Sequence, residues 1–534
     1  MCTCRVCKHK ANDEPGARRY RLSAARACSA CLELKILQNQ IIETRAFLCH
    51  LQKHLHALRS NYNHAHDPFT HALPPELMSR IFEFCVSSAP NGMLNPLILG
   101  AVCKRWRQIA WAAPNLWTTV RVNLDRFQSR VALHCELLSQ WLARSAQLPL
   151  SIWISCNESN INPSMHPLTS QNALEILNQY SARWQCLDIS MPLSLLPVLR
   201  GRGKFMPILK NLIITQPSDS YDDPSSQGEE GFLLSNVDLR PETVSITRLP
   251  FNAVHIDWSN VTEVYFDGMT TVDCLCLFQQ AIQLVKCSIT IDEDENVLHF
   301  DTPFIHPSLA HITIIMRDWN SPDALFDRIT LPALKEANCM VARPDYDGFI
   351  SLVERSGSVL TSLSIANWEP PSCEGLSELL RTTSRLEYLM LRIPDLPPGF
   401  FELFAPPESS DSDDGAHRIF LPLLRRFHYR GSNSYISWKS FIEAAESMLR
   451  IRRQNDAALP SFEFIFDTED EDSDSDSSDA AQGRDEVYMA LLCGLIDRGI
   501  GLKISDGSKD LLQREKRRFE AERFGVDDWD GELG

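Results

Sequence analysis

A short apolar pattern recurs about every 25 residues through the middle of the chain. The pattern is apolar-x-x-apolar-x-apolar, and successive steps are 25, 25, 27, 23, 25, 25, 26, 26 and 38 residues. Each instance predicts a strand, and the segments between them, such as DGFISLVERSGSV, have a helical pattern. One strand and one helix cannot bury a core alone, so the units are predicted to stack as an α/β solenoid. The instances begin at Trp184, Leu209, Leu234, Val261, Leu284, Leu309, Leu334, Leu360, Leu386 and Leu424.

This periodic segment resembles a leucine-rich repeat. The stretches LPILKNLIIT, PSLAHITIIM and SRLEYLMLRI show the pattern best. No instance has asparagine at its ninth position, where the family uses it, and Pro192, Pro217 and Pro394 stand there instead. The resemblance therefore implies an irregular leucine-rich-repeat-like α/β solenoid over residues 121–460, which would bind a target protein.

A compact unit with a different pattern precedes the repeats, at residues 70–120. Pro74 and Pro75 suit the first turn of a helix, where backbone N–H groups lack intrahelical partners. That helix has an apolar face, so some other surface must cover it. The face is formed by Leu77, Met78, Ile81, Phe82 and Cys85.

The second half of this unit predicts another helix and a strand. Pro114 ends the helical pattern, and LWTTVRV then reads as a strand. We expect one helical stripe before Pro114, formed by Ile98, Val102, Trp106 and Ile109.

In this order, LPPELMSRIF and VCKRWRQIAWAAPNLW resemble the F-box motif in the form common in mushroom-forming fungi. The resemblance implies a three-helix unit that docks on the Skp-type adaptor of a cullin-based ubiquitin ligase. It also implies an adaptor-facing surface formed by Leu73, Pro74, Leu77, Ile81 and Phe82. Val102, Trp106 and Trp117 would mainly hold the unit together and contribute to that surface.

Four cysteines near the N-terminus have the spacing of a zinc site. Cys4 and Cys7 form one C-x2-C pair, and Cys28 and Cys31 form another after 20 residues. Tetrahedral zinc is bound by two such pairs in small structural sites. Residues 1–31 are therefore a predicted zinc-binding tail, and the alternative is an arginine-rich tail with idle thiols.

Residues 32–60 predict a long helix, because the segment contains no glycine or proline. A heptad grid places apolar residues at seven of eight a and d positions, which is typical of a coiled coil. Self-association through residues 34–58 and docking on the rest of the chain both remain open. The grid consists of Leu34, Leu37, Ile41, Thr44, Leu48, Leu51, Leu55 and Leu58.

The net charge of −17 is concentrated in three runs, at 218–230, 408–414 and 467–479. Together they hold 17 acidic residues and no basic one, so the remainder of the chain is balanced. Such runs bury little apolar area and are expected to be disordered insertions. The composition gives no reason to expect a nucleic-acid partner. Residues 461–534 are predicted to hold an acidic linker followed by C-terminal helices.

No secretory signal or run of about 18 apolar residues is visible in the sequence. The expected location is therefore cytoplasmic, nuclear or both, with reduced cysteines. The repeats contain no phosphate loop, nucleophile elbow or H-E-x-x-H motif, and no catalytic activity is expected. The leading hypothesis is a non-catalytic substrate receptor of a ubiquitin ligase, and the alternative is a zinc-stabilised coiled-coil scaffold outside any ligase.

Overall fold

The structure of the chain is a computed structural model. Three predicted zinc ligands, Cys4, Cys7 and Cys28, lie outside the residues that it describes, as do the acidic runs 218–230, 408–414 and 467–479. Cys31 lies within the first helix, but its side chain is outside the description. The described residues are 29–66, 72–87, 95–125, 131–156, 166–200, 208–217, 239–292, 303–317, 323–342, 346–404, 420–432, 436–454, 459–466, 486–505 and 512.

The fold is mixed α/β and contains a long parallel sheet, as the repeat predicts. Fourteen strands form the sheet in the described residues, and each pairs in parallel with the next one along the chain. Two further short strands, Phe304–Ile305 and Ile329–Thr330, pair with each other. The strands are β1 Thr119–Asn123, β2 Leu150–Ser155, β3 Trp184–Ser190, β4 Asn211–Thr215, β5 Thr243–Thr247, β6 Glu263–Met269, β7 Lys286–Ile291, β8 Phe304–Ile305, β9 His311–Met316, β10 Ile329–Thr330, β11 Glu336–Val341, β12 Ser362–Asn367, β13 Tyr388–Arg392, β14 Arg426–Gly431, β15 Ser461–Phe466 and β16 Gly501–Ser505.

Helices fill most of the connections between strands and also precede the sheet. The α-helices are α1 Ser29–His66, α2 Pro75–Ser87, α3 Pro96–Val102, α4 Lys104–Ala112, α5 Val131–Arg144, α6 His166–Asn178, α7 Thr271–Gln280, α8 Asp323–Phe326, α9 Asp347–Ser356, α10 Cys373–Thr382, α11 Trp438–Gln454 and α12 Glu486–Asp497. Short 3₁₀ helices lie at Pro114–Trp117, Ser181–Arg183, Leu193–Val198, Phe251–Ala253, Trp258–Asn260 and Phe400–Phe404.

The chain divides into two compact units. The first holds the described residues up to Thr118 together with Trp141–Leu148. The second holds Thr119–Gln140 and the described residues from Pro149 onward, and therefore contains the whole sheet. We call them the N-terminal unit and the sheet unit.

The apolar repeat sets the register of the sheet. The repeat has ten instances, and each starts at its first apolar residue. In nine of them, the residue two positions after that start is paired directly across the sheet with its neighbours, so that these residues form one row running from strand to strand. The next residue along each strand is buried, which explains why the repeat needs an apolar side chain there. The row consists of these nine residues, Cys186, Asn211, Glu263, Lys286, His311, Glu336, Ser362, Tyr388 and Arg426, together with Thr243, which lies between Asn211 and Glu263.

One predicted repeat is displaced. Leu234 lies outside the described residues, and the strand between β4 and β6 is Thr243–Thr247, which places its repeat start at Pro241. The acidic run 218–230 lengthens the preceding connection and shifts the phase of the pattern.

The sheet also extends beyond the segment in which the repeat is visible. Strands β1 and β2 precede the first instance, and β15 and β16 follow the last. The helix predicted after residue 480 is present as α12, but the chain then forms β16 at the edge of the sheet. Most of the second predicted tail helix lies outside the described residues.

Candidate docking surface

The N-terminal unit has a small core of its own, built on Trp117. This side chain is fully buried, and its Nε1–H donates a hydrogen bond to the Ala110 carbonyl oxygen over 2.8 Å. The Phe82 side chain is 1% exposed, and its ring centroid lies 4.9 Å from that of Trp106. Phe82 and Trp117 therefore stabilise the unit from inside. Their core neighbours are Met78, Leu99, Ile109, Ala110, Ala113 and Leu116.

The predicted stripe through Ile98, Val102, Trp106 and Ile109 is wrong, because the chain leaves the helix between its two halves. Cys103 is extended (φ −152°, ψ 171°), so α3 ends at Val102 and α4 begins at Lys104. The Cys103 Sγ accepts a hydrogen bond from the Trp106 backbone N–H over 3.3 Å and thereby caps α4. The break separates Val102, which is 51% exposed, from the half-buried Trp106.

The face of α2 is likewise divided into an inner and an outer row. Met78 and Phe82 point into the core, whereas Leu77 and Ile81 are 48% and 43% exposed. Phe84 lies one turn beyond Ile81 and is 71% exposed. Residues three and four positions apart lie on the same side of a helix, so these three side chains form one outer stripe.

Helix α3 carries a second outer stripe and contacts α2. Ile98 and Val102 are four residues apart and more than half exposed, and Leu97 lies beside them at 43%. We call the two stripes together the apolar docking surface. It consists of Leu77, Ile81, Phe84, Leu97, Ile98 and Val102.

The predicted site residues thus fall into three groups. Leu77, Ile81 and Val102 lie on the apolar docking surface, and the exposed Pro74 precedes α2. Leu73 and Trp106 are half-buried against the core, and Phe82 and Trp117 lie within it. The sequence prediction of the surface did not include Phe84, Leu97 or Ile98, although Phe84 follows Leu77 by seven residues and is therefore visible in the helical period.

A cluster of tryptophans and arginines packs against the same core. The Trp111 ring centroid is 5.6 Å from that of Trp117, and the guanidinium carbons of Arg107 and Arg144 lie 5.8 and 5.2 Å from Trp111. The Arg107 Nε–H also donates to the Gly100 carbonyl oxygen over 2.7 Å. Gly100 allows this packing, because a Cβ there would lie 1.9 Å from Trp111 Cζ3.

The outward face of the sheet is polar and carries cross-strand ion pairs. The His311 Nδ1 lies 2.8 Å from Glu336 Oε2 on the next strand. Glu463 lies between His428 and Lys503, and the hydrogen bond from Lys503 is the main reason why the pKa of Glu463 is lowered. This face offers charged and hydroxyl groups to a ligand, in contrast to the apolar docking surface.

The described residues contain no cluster of three or more metal-ligating side chains. None of the described helices is long and apolar enough to span a membrane. The chain matches no protein-family model, and no curated protein is significantly similar to it.

Proposed function

We propose that the chain is an F-box substrate receptor. In this proposal the N-terminal unit docks on a Skp-type adaptor and, through it, on a cullin. The sheet unit, an irregular leucine-rich-repeat-like solenoid, presents a target protein. The chain itself catalyses no step and brings the target to the ligase.

One observation carries the proposal: the unit has a complete core and still exposes a second apolar layer. Met78, Phe82 and Trp117 are at most 1% exposed, so the fold does not need Leu77, Ile81 or their neighbours for its own interior. A surface of this size on a small unit is a liability unless a partner covers it. The F-box resemblance identifies that partner as the adaptor.

The charges beside the surface add a constraint on the partner. Lys104 and Arg105 begin α4 and are exposed directly after the Val102 stripe. Basic groups at the rim of an interface favour an acidic partner and accelerate its association at low ionic strength. We therefore expect adaptor binding to slow as salt rises, with a smaller effect on dissociation.

The test is capture of purified adaptor by the full chain. Leu77→Lys with Ile81→Lys places two ammonium groups on the outer stripe of α2, and apolar anchors buried in an interface carry most of the binding energy. Adaptor binding should be lost. The control is Ile282→Lys, because Ile282 is 58% exposed but lies in the sheet unit. Adaptor capture at the wild-type level by the double variant would refute the proposal.

The zinc site of Cys4, Cys7, Cys28 and Cys31 is a separate proposal. A scaffold outside any ligase remains the alternative function, and the exposed seam of α1 is the observation in its favour. If the wild-type chain binds no adaptor, this alternative becomes the better account.

A further inference from the structure

Helix α1 exposes its entire heptad seam. The helix runs from Ser29 to His66, 38 residues, and the seven apolar seam residues are between 47% and 58% exposed. A helix without packing on one face has little to stabilise it in water, since helical stability in proteins comes mainly from tertiary contacts. Something must therefore cover the seam. The seven residues are Leu34, Leu37, Ile41, Leu48, Leu51, Leu55 and Leu58.

The seam can be buried without leaving a polar group unpaired. Thr44 is its one polar member, and the Thr44 Oγ1–H donates to the Gln40 carbonyl oxygen of the same helix over 2.7 Å. The hydroxyl therefore needs no partner from the covering surface. From Leu34 to Leu58 the seam extends for about 37 Å at 1.5 Å per residue, nearly four heptads.

We propose that a second copy of this chain covers the seam, and that the two α1 helices pack antiparallel. Helices in an antiparallel coiled coil place a positions opposite d positions. With Leu34 opposite Leu58 of the second copy, Leu37 faces Leu55, Ile41 faces Leu51, and Thr44 faces Leu48. All eight seam positions are then used on both helices.

One residue beside the seam favours this orientation. In the antiparallel pair, g positions face g and e positions face e, and the two-fold axis passes at the level of residue 46. Phe47, which is 62% exposed, then faces Phe47 of the second copy and forms a further apolar contact beside the seam. Gln40 lies opposite His54 and Gln38 opposite Gln52, and the one like-charge contact is that of Arg45 with Arg45 of the second copy at the rim.

The parallel pair would leave Phe47 without an apolar neighbour on the second helix, because its g positions face e positions five residues later and Phe47 would lie opposite Gln52. His54 would lie opposite Arg59, and Gln40 opposite Arg45. Neither of these contacts is an attractive ion pair, so charge gives the parallel pair no compensating advantage.

The first test is the mass of the full chain in solution under reducing conditions, measured by sedimentation equilibrium. The wild-type mass should be twice 60.6 kDa at micromolar concentration. Leu48→Asp with Leu51→Asp buries four unpaired carboxylates per dimer, so the dissociation constant should rise at least ~100-fold. The control is Ile36→Asp with Ile42→Asp, two exposed apolar residues of α1 outside the seam, which should leave the dimer intact.

The second test separates the two orientations by disulfide formation in a Cys49→Ser background. A chain with Leu37→Cys should cross-link to a chain with Leu55→Cys, and peptide mass spectrometry should identify that bond. Two copies of Leu37→Cys should not cross-link, because 18 residues of helix separate them by about 27 Å in the antiparallel pair.

Four results would overturn the proposal. They are a monomeric wild-type chain, a trimer or larger assembly, a seam variant that stays dimeric, and a disulfide between two Leu37→Cys chains. A monomer that binds a different protein through α1 would also assign the seam to another occupant.

Discussion

Gly100→Ala should destabilise the N-terminal unit although alanine is the better helix former. A methyl group at this position would lie 1.9 Å from Trp111 Cζ3 and 2.4 Å from Cη2, so the indole must move. The ring would then leave its contacts with Trp117, Arg107 and Arg144. The destabilisation therefore has a steric cause, and it is local to the N-terminal unit, which carries the apolar docking surface.

The magnitude follows from the contacts. An aromatic pair contributes about 0.5–1.5 kcal/mol. Each of two partly exposed cation–π contacts contributes about 0.5–1 kcal/mol. Alanine in place of glycine stabilises a helix by about 1 kcal/mol, which offsets part of this loss. The net cost should therefore be about 0.5–2.5 kcal/mol of unfolding free energy for this unit.

Hydrogen exchange read by mass spectrometry can assign the loss to the unit, because peptides from α3 and α4 report its opening separately from the sheet. The control is Gly494→Ala in α12, where no atom lies within 4 Å of the added Cβ and a small gain is expected. In a Trp111→Leu background most of the cost of Gly100→Ala should vanish, because the clash and the lost contacts share one ring. Unchanged exchange in α3 and α4, or the same cost in both backgrounds, would refute the reasoning.

Three further predictions concern other parts of the chain. Tyr346→Phe removes the hydroxyl that accepts a 2.7 Å hydrogen bond from the buried Asn367 amide, so urea unfolding should show a loss of about 1–3 kcal/mol. Burial lowers the pKa of His306, so its contribution to stability is complete above the unfolded value of about 6.5 and is lost as the pH falls below it. Unfolding free energies measured between neutral and mildly acidic pH should therefore fall more steeply in the wild type than in His306→Asn. If the N-terminal cysteines bind zinc, the purified chain should contain one zinc ion, and Cys4→Ser with Cys7→Ser should lose it in metal analysis.

The sheet was predictable because its repeat places apolar side chains in the core both before each strand and along it. Leu284 is buried just before β7, and the alternation along β7 buries Cys287 and Ile289 next to the corresponding residues of the neighbouring strand. The same periodicity failed at Leu234, where an acidic insertion changed the spacing and proline took the first apolar position. Strand β16 was missed because Gly499 stands where most of the other repeats have their first apolar residue.

The docking surface was less predictable, because two neighbouring apolar rows of one helix look alike in a sequence. Ile81 and Phe82 are adjacent and both apolar, yet Ile81 is 43% exposed and Phe82 only 1%. Which of the two rows is buried depends on where the Trp106 ring lies, and the break in the helix at Cys103 determines the position of that ring. Neither proline nor glycine marks the break, so local propensity gives no signal for it.

The distribution of exposed apolar side chains distinguishes the kinds of partner that the two units suit. Among the described residues, 18 of the 29 exposed large hydrophobic side chains lie in the N-terminal unit, although the sheet unit is much larger. Lasting interfaces resemble a divided protein core, whereas transient ones are more polar. The outward face of the sheet instead carries hydroxyl groups, such as those of Ser288 and Thr313, and ion pairs such as Lys503 with Glu463. If both proposals hold, we expect the adaptor and the second copy to stay bound through the N-terminal unit while target proteins exchange on the sheet. Added salt should accelerate target dissociation more than it accelerates dissociation of either lasting partner.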